Sequence, residues 1–197
     1  MIGDVLEFIR ERLNEYFISL SPDTPGSVME QKVCFLELDQ STEHINFKLN
    51  CISMVLLNVE EERIIRNPDP YHRASGFGTV CSVAPDMHLN LNCIFVARFK
   101  DYKQGVQNLS NIIRYFQRHR YFDETTAPQL AGLGNPFTIE LITLSFSELN
   151  EIWGGFRSAL LPCIAYRIRT LLILDEDSDQ LPAPDTQAVD IALEQQS

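Results

Sequence analysis

KLNCISMVLLNVEEERIIRN, residues 48–67, contains the stretch that decides the fold. Ile52, Met54 and Leu56 alternate with other residues and so share one face of a strand. The opposite face is mostly apolar as well, with Cys51, Val55, Leu57 and Val59. A strand with apolar residues on both faces is typical of the interior of a sheet that is covered on both sides.

The segments around this strand predict an α+β domain. Four further stretches read as strands, at residues 32–38, 88–99, 136–144 and 163–174. In the second of these the alternation places Leu89, Leu91, Cys93, Phe95 and Ala97 on one face. Three helices are predicted: one at the N-terminus with an apolar stripe, one that follows Asp101, and a short one capped by Ser145 or Ser147 and ended by Gly154 and Gly155. Residues 67–87 read as a long loop. The expected fold is therefore a single mixed sheet of four or five strands flanked by helices.

Length and composition indicate a protein that buries a real core. The 197 residues are 45% hydrophobic, and no apolar run approaches the roughly 20 residues that span a bilayer. The first residues lack the basic segment of a signal peptide, and the five Cys are an odd set without CxxC spacing, which favours a reducing cytoplasm. We expect one domain over residues 1–174 and a flexible acidic tail over residues 175–197.

The charge is concentrated in that tail. Residues 175–197 hold seven acids and no Lys or Arg, so they carry −7 of the net charge of −11. The rest of the chain has 20 acids against 16 bases, a balance of −4. Because phosphate binding needs a concentrated basic face, nucleic acid is not an expected partner.

Motifs of catalysis and cofactor binding are absent from the sequence. There is no third glycine after Gly76 and Gly78, no P-loop, no GxSxG and no HExxH. The four His residues are isolated; His72 lies beside Arg73 in the predicted loop and is interpreted as a solvated or interface residue. The acids Glu60, Glu61 and Glu62 have no evident partner cluster, so they predict an exposed strand end rather than a metal site. No enzyme, cofactor or metal is expected.

Two features of the C-terminal third bear on packing and assembly. Arg167 and Arg169 share one face of the last predicted strand, and a lone buried Arg is costly, so this face must be solvated or meet acids. Trp153 is expected in the core, although Trp, Tyr and Arg are also the residue types that dominate protein interfaces.

Taken in order, these segments resemble the cap, or tail-terminator, proteins of bacterial contractile injection systems, which are phage-tail-like particles. The resemblance covers residues 1–174. It rests on the N-terminal helix MIGDVLEFIRERLNEY, on LNLNCIFVARF, and above all on ELNEIWGGF followed by LLPCIAYRIRTLLI. In this last block seven positions match the family pattern: Leu149, Asn150, Ile152, Trp153, Pro162, Tyr166 and Arg169. Cys163 replaces a small Ser that is common after the Pro.

The resemblance implies a structural function. Such proteins form a ring, implied to be a hexamer, that ends the inner tube and holds the last sheath ring. The implied partners are copies of the chain, tube protein and sheath protein, without nucleic acid or membrane insertion. Assembly would take place in the cytoplasm, with release of the particle outside the cell left open. A non-ring adaptor or assembly chaperone of the same apparatus, and a small-molecule binding module, remain alternatives.

Candidate site residues follow from these observations. The suspected subunit or tube interface comprises Tyr71, His72, Arg73, Phe77, Arg167 and Arg169. The expected structural core includes Trp153, Tyr166, Phe116 and Ile152.

Overall fold

A computed structural model describes residues 2–20, 31–38, 45–62, 72–74, 80–82, 87–123, 125–126 and 136–173. The helices are α1 (Ile2–Ser19), α2 (Tyr102–Arg118) and α3 (Phe146–Phe156). The strands of the first half are β1 (Val33–Phe35), β2 (Glu37–Leu38), β3 (Ile45–Asn46), β4 (Cys51–Glu61), β5 (His72–Ala74) and β6 (Val80–Ser82). Those of the second half are β7 (Met87–Arg98), β8 (Tyr121–Phe122), β9 (Phe137–Ile142) and β10 (Cys163–Ile173).

The main sheet is mixed and has six strands in the order β1-β4-β7-β10-β9-β8. β1 runs parallel to β4, whereas β7 runs antiparallel to β4 and β9 runs antiparallel to both β10 and β8. The α+β class and the mixed sheet are confirmed, and the strand from residue 51 onward does lie in the sheet interior. The predicted count of four or five strands was wrong, because β8 has only two residues and is too short to show a period.

Two small sheets were also missed. Residues 32–38 do not form one strand: Phe35 pairs with Met54 in the main sheet, whereas Leu38 pairs with Ile45 in a separate β2-β3 ladder. The predicted loop of residues 67–87 contains the antiparallel pair β5-β6, in which His72 lies opposite Ser82. Gly and Pro on both sides of these three-residue strands hid them from a pattern-based prediction.

One face of the main sheet packs against α1 and α2, and we call it the two-helix face. Every second residue of β7 from Leu89 to Ala97 is buried there, as the alternation predicted. The helices contribute the apolar residues Val5, Phe8, Ile9, Leu13, Phe17, Leu109, Ile112, Tyr115 and Phe116. This face holds the larger of the two hydrophobic clusters and so supplies most of the core.

The opposite face packs against α3, and we call it the α3 face. Its buried cluster is small and consists of Phe47, Ile94, Val96 and Trp153. Ser145 caps α3, which extends to Phe156, the last residue of the stretch predicted as helix, SELNEIWGGF. Gly154 and Gly155 lie inside the helix, so the prediction that this pair ends it was wrong. Neither glycine has a neighbouring atom where a Cβ would lie. Each glycine destabilises a helix by roughly 1 kcal/mol relative to alanine. The contact between the Phe156 and Trp153 rings offsets this cost and favours the longer helix.

The chain divides into two compact units. The first comprises residues 1–62 and 89–172, which hold the main sheet strands and all three described helices. The second comprises residues 63–88 and 173–197, in which the β5-β6 pair is described. Within the described residues, no helix combines the length and the apolarity that a membrane span needs.

Candidate functional site

A β-bulge in β4 determines which side chains reach the α3 face. Leu56 lies opposite Cys93, but Asn58 lies opposite Asn92, so Leu57 is the extra residue on β4. Beyond the bulge the alternation is shifted by one position, and Glu60 lies opposite Asn90. The shift moves Val59 to the two-helix face, opposite Leu91, where simple alternation had wrongly placed it with Val55 and Leu57.

The shifted strand brings acids, amides and cations together in two parallel rows across β4, β7 and β10. In the first row the Asn92 amide nitrogen donates to Glu60 at 2.8 Å, and Arg167 Nε donates to the Asn92 oxygen at 2.9 Å. Arg167 also lies 3.6 Å from the other oxygen of Glu60. Asn92 is buried and so fixes the separation of the two charges that it bridges.

The second row lies two residues further along each strand and repeats the amide-to-carboxylate bond and the ion pair, but not the bond from Arg to the amide oxygen. Asn90 donates to Glu62 at 2.9 Å, and Arg169 lies 3.5 Å from the same carboxylate. Arg169 also reaches Glu140 of β9 at 3.4 Å. We call the seven residues of both rows the charge ladder: Glu60, Glu62, Asn90, Asn92, Glu140, Arg167 and Arg169.

The ladder explains how two Arg side chains can lie on one strand face. Exposed ion pairs contribute only about 0–1 kcal/mol each, and hydrogen bonds to a charged group about 1.5–3 kcal/mol. Because Arg167 and Glu60 are 37% and 42% exposed, their ion pair stabilises this part of the sheet less than the two hydrogen bonds of the buried Asn92 do. The Arg169–Glu62 pair is less exposed, since the Glu62 side chain is only 9% exposed. Asn90 Oδ1 is buried and has no hydrogen-bond partner in the described part of the chain.

α3 covers the other half of this face and is held there by aromatic contacts. Trp153 is 5% exposed, and its ring centroid lies 5.7 Å from that of Phe47 and 5.7 Å from that of Phe156. Burial raises the pKa of the neighbouring Cys163 thiol, an effect that the Trp153 indole N–H opposes. Cys163 is half-buried and packs against the cluster under the helix.

The first turn of α3 is closed by a capping box. The Ser145 hydroxyl accepts from the Glu148 backbone N–H, and the Glu148 carboxylate accepts from the Ser145 backbone N–H at 2.8 Å. That backbone bond, with a second one from the Ser145 hydroxyl, lowers the pKa of Glu148. The box fixes where the helix starts and therefore where Trp153, two turns later, meets the sheet.

A groove lies between α3 and the charge ladder. It encloses about 740 Å³. Its walls are apolar side chains of the helix and the sheet, among them Leu57, Ile142, Leu144, Ile152 and Phe156. Four charged residues also line it: Glu60, Glu148, Glu151 and Arg167. The groove thus combines apolar walls with a net negative rim, a composition suited to a macromolecular contact.

The predicted interface residues do not form one described site. Tyr71 and Phe77 lie outside the described residues. The backbone of His72 and Arg73 belongs to β5, and their side chains are likewise outside the description. Arg167 and Arg169 lie in the charge ladder.

The residues named for the core lie on both faces of the sheet. Trp153 is buried on the α3 face, and the half-buried Ile152 packs against the same cluster. Tyr166 and Phe116 are 3% and 2% exposed on the two-helix face, with ring centroids 4.8 Å apart. Burial raises the pKa of Tyr166 to about 12.

The prediction that Glu60, Glu61 and Glu62 lie at a strand end is confirmed, because β4 ends at Glu61, but the predicted lack of a partner cluster was wrong for Glu60 and Glu62. Their partners are Asn92, Asn90, Arg167 and Arg169, from strands far away in the sequence. The signal was present as three pairs with spacing i, i+2, but only the order of the strands brings the pairs together. In the part of the chain that the structure describes, no group of three or more His, Cys, Asp or Glu residues could hold a metal ion.

Comparison with known proteins places this arrangement in a family. The model of the Pvc16 N-terminal domain matches residues 4–187, almost the whole sequence. The chain belongs to the Pvc16 N-terminal domain family. The family resemblance stated from the sequence, to caps of contractile injection systems, is thereby confirmed. The curated proteins gave no match.

Two solved structures are similar to this chain, and the first of them shares its fold. One is the cryo-EM structure of the sheath/tube terminator of an extracellular contractile injection system, PVC, in the extended state, with a TM-score of 0.57 and 14% identity. The match covers 94% of this chain but 61% of that one, so the chain spans about three fifths of that relative's length. The cryo-EM cap of the anti-feeding prophage matches over 74% of this chain and 54% of its own, with a TM-score of 0.42 and 12% identity.

Proposed function

We propose that this protein is a structural terminator of a contractile injection system, which binds the end of the inner tube and stops its growth. The observation that carries the proposal is membership of the Pvc16 N-terminal domain family over residues 4–187. The fold shared with a sheath/tube terminator supports it. The proposed role is non-enzymatic.

The charge ladder supports a structural role because its side chains are bonded to one another. Catalytic acids and bases act with groups that are available to a substrate. Here Glu60 and Arg167 are joined through Asn92, and Glu62 is held by Asn90 and Arg169. Side chains that are engaged with one another in this way serve to fix a surface.

The proposed assembly is a ring, hexameric by resemblance to the cap family, with tube on one side and the last sheath ring on the other. The segment from Asn67 to Asp86 is the proposed contact with a neighbouring subunit or the tube, because its Tyr71, Arg73 and Phe77 are types that anchor interfaces. The acidic tail after Leu174 is the proposed contact with sheath. Its seven acids would add about −42 to a six-membered ring, a repulsion for which folding gives no reason.

Replacing residues 67–86 by a short Gly-Ser linker tests the tube-terminating role. We expect a folded protein that no longer caps, so that particles assembled with it have tubes of uncontrolled length in electron micrographs. The matched control is a protein in which the same segment is kept and only its aromatic residues are exchanged, Tyr for Phe and Phe for Tyr. Tubes of normal length with the linker variant would contradict the proposed contact.

Truncation after Leu174 tests the sheath contact separately. Parallel pull-downs with tube protein and sheath protein should show retained tube binding and weakened sheath binding. A full-length variant with the seven acids changed to their amides separates charge from chain length, and its sheath binding should lose its dependence on salt. Equal sheath recovery with all three proteins would contradict the tail's role. Loss of tube binding on truncation would contradict the domain end at residue 174.

A further inference from the structure

Among the acids that line the groove beside α3, Glu151 has no hydrogen bond or ion pair with a described residue. Glu148 belongs to the capping box with Ser145, and Glu60 is bound by Asn92 and Arg167. Glu151, one turn further along α3, is exposed and has no ion pair with any described residue. An apolar groove with an unpaired carboxylate on its rim fits an apolar surface that carries a cation.

The outer flank of α2 is such a surface. Tyr102, Val106 and Ile113 are spaced by four and seven residues, so they form one stripe along the helix. They are 72%, 39% and 37% exposed, respectively. Arg114 lies about 100° further round the helix from this stripe, on its solvent side, and is exposed, as is Arg118 one turn later. Neither has an ion pair with a described residue.

The two surfaces belong to opposite faces of the same sheet. α2 packs on the two-helix face through Leu109 and Ile112, whereas α3 packs on the other face through Trp153. Within one subunit the flank of α2 therefore cannot reach the groove. Contact between these two surfaces therefore requires two different copies of the chain.

We propose that the groove of one copy receives the α2 flank of the next copy, with Arg114 paired to Glu151 across the contact. The contact is heterologous, so repetition of it produces a ring where the rotation between copies closes. It uses the helix-in-groove mode, in which an apolar helix stripe enters a groove and flanking charges set the register. This inference rests on the ring assembly in the proposed function and names the surfaces that would form it.

Charge argues for a second copy rather than the chain's own tail as the occupant. The groove is lined by three acids against one Arg. The tail after Leu174 carries seven acids and no base, so it would meet like charge there. The flank of α2 brings Arg114 and Arg118 to the same rim.

A charge swap tests the contact. The variants are Glu151→Arg, Arg114→Glu and the two combined, and the matched control is Glu11→Arg, the same charge change at an exposed position of α1. All three positions are exposed, so folding should be retained and can be checked by circular dichroism. Self-association is measured by sedimentation velocity over the full soluble concentration range, with and without tube protein of the same system.

We expect wild type and the Glu11→Arg control to associate equally, each single variant to associate about tenfold more weakly or worse, and the double variant to recover most of the loss. A double variant as weak as the two losses combined would overturn the pairing, as would a wild type that stays monomeric both alone and with tube. Glu151→Arg with intact self-association but lost tube binding would overturn it too, because the groove would then hold tube.

The outcomes separate this inference from the proposed function. If the chain binds tube but the double variant does not recover self-association, the terminator role is supported and this contact is contradicted. If the swap restores self-association but the chain does not bind tube, the contact is supported and the terminator role is contradicted.

Discussion

Trp153→Ala removes the largest side chain from the small cluster that holds α3 on the sheet. Trp153 is 5% exposed and is packed with Phe47, Ile94 and Val96, the only other buried residues of that cluster. Truncation of a buried Trp to Ala costs about 3–5 kcal/mol. The truncation also removes the ring contacts that Trp153 makes with Phe47 and Phe156.

The loss of stability should affect the docking of α3 on the sheet before it affects the sheet itself. The two-helix face has a much larger core that does not involve Trp153, so the sheet can outlast the loss of the helix. The capping box and the half-buried Leu149 and Ile152 retain part of the helix contact. We therefore expect a loss near the lower bound, about 3 kcal/mol, in the free energy of unfolding.

Urea denaturation followed by circular dichroism measures this loss. With a slope of about 1–3 kcal/mol per M, a loss of about 3 kcal/mol lowers the midpoint by about 1–3 M. Trp153 is the only Trp of the chain, so its fluorescence in wild type reports the docking of α3. Trp153→Phe is the matched control, because it keeps an aromatic ring and should lose about 1 kcal/mol. An Ala variant that unfolds at the wild-type midpoint but no longer assembles would refute the core role and make Trp153 an interface residue.

Three further predictions concern single groups. Burial raises the pKa of Tyr166 to about 12, so the neutral phenol stabilises the fold below pH about 10, and this contribution is lost as the pH rises toward 12. Denaturation curves of Tyr166→Phe at pH 9 to 12 should therefore show a weaker dependence of the free energy of unfolding on pH. Burial raises the pKa of Cys93 to about 12, so peptide mapping should find it alkylated only after unfolding, and rapid native alkylation would contradict this. Ser145→Ala should cost about 1 kcal/mol by urea denaturation and return the pKa of Glu148 toward its ordinary range by NMR titration, with Ser147→Ala as the neutral control.

The sequence alone predicted the correct face of the sheet for residues in strands whose alternation is not interrupted. β7 alternates without a break from Leu89 to Ala97, and its apolar face was predicted correctly. β4 follows the same rule only up to Leu56, because a bulge adds a residue that no hydrophobic pattern records. Val59 was consequently placed on the wrong face, and the strand with only two residues, β8, was missed because two positions contain no alternation.

The charge ladder could not be predicted because its pairs join strands that are distant in the sequence. Arg167 and Asn92 are 75 positions apart, and Arg169 and Glu62 are 107 positions apart. Local reasoning did establish that the face with both Arg residues must be solvated or meet acids. Which acids it meets depends on strand order and on the bulge, and both are properties of the whole sheet.

The division of the α3 face has a consequence for where binding energy can come from. A strand inside a sheet must have both faces covered or made compatible with water. On β4, α3 covers the strand at Val55, and the charge ladder makes it compatible with water at Glu60 and Glu62. Charges that already satisfy one another have little left to offer a partner, since breaking their bonds would offset what a new contact gains. Glu151 on α3 lies beside the apolar groove and has no ion pair with a described residue, so it can add net attraction to a partner. For this reason substitutions within the ladder should change stability more than assembly, and substitutions at Glu151 should change assembly more than stability.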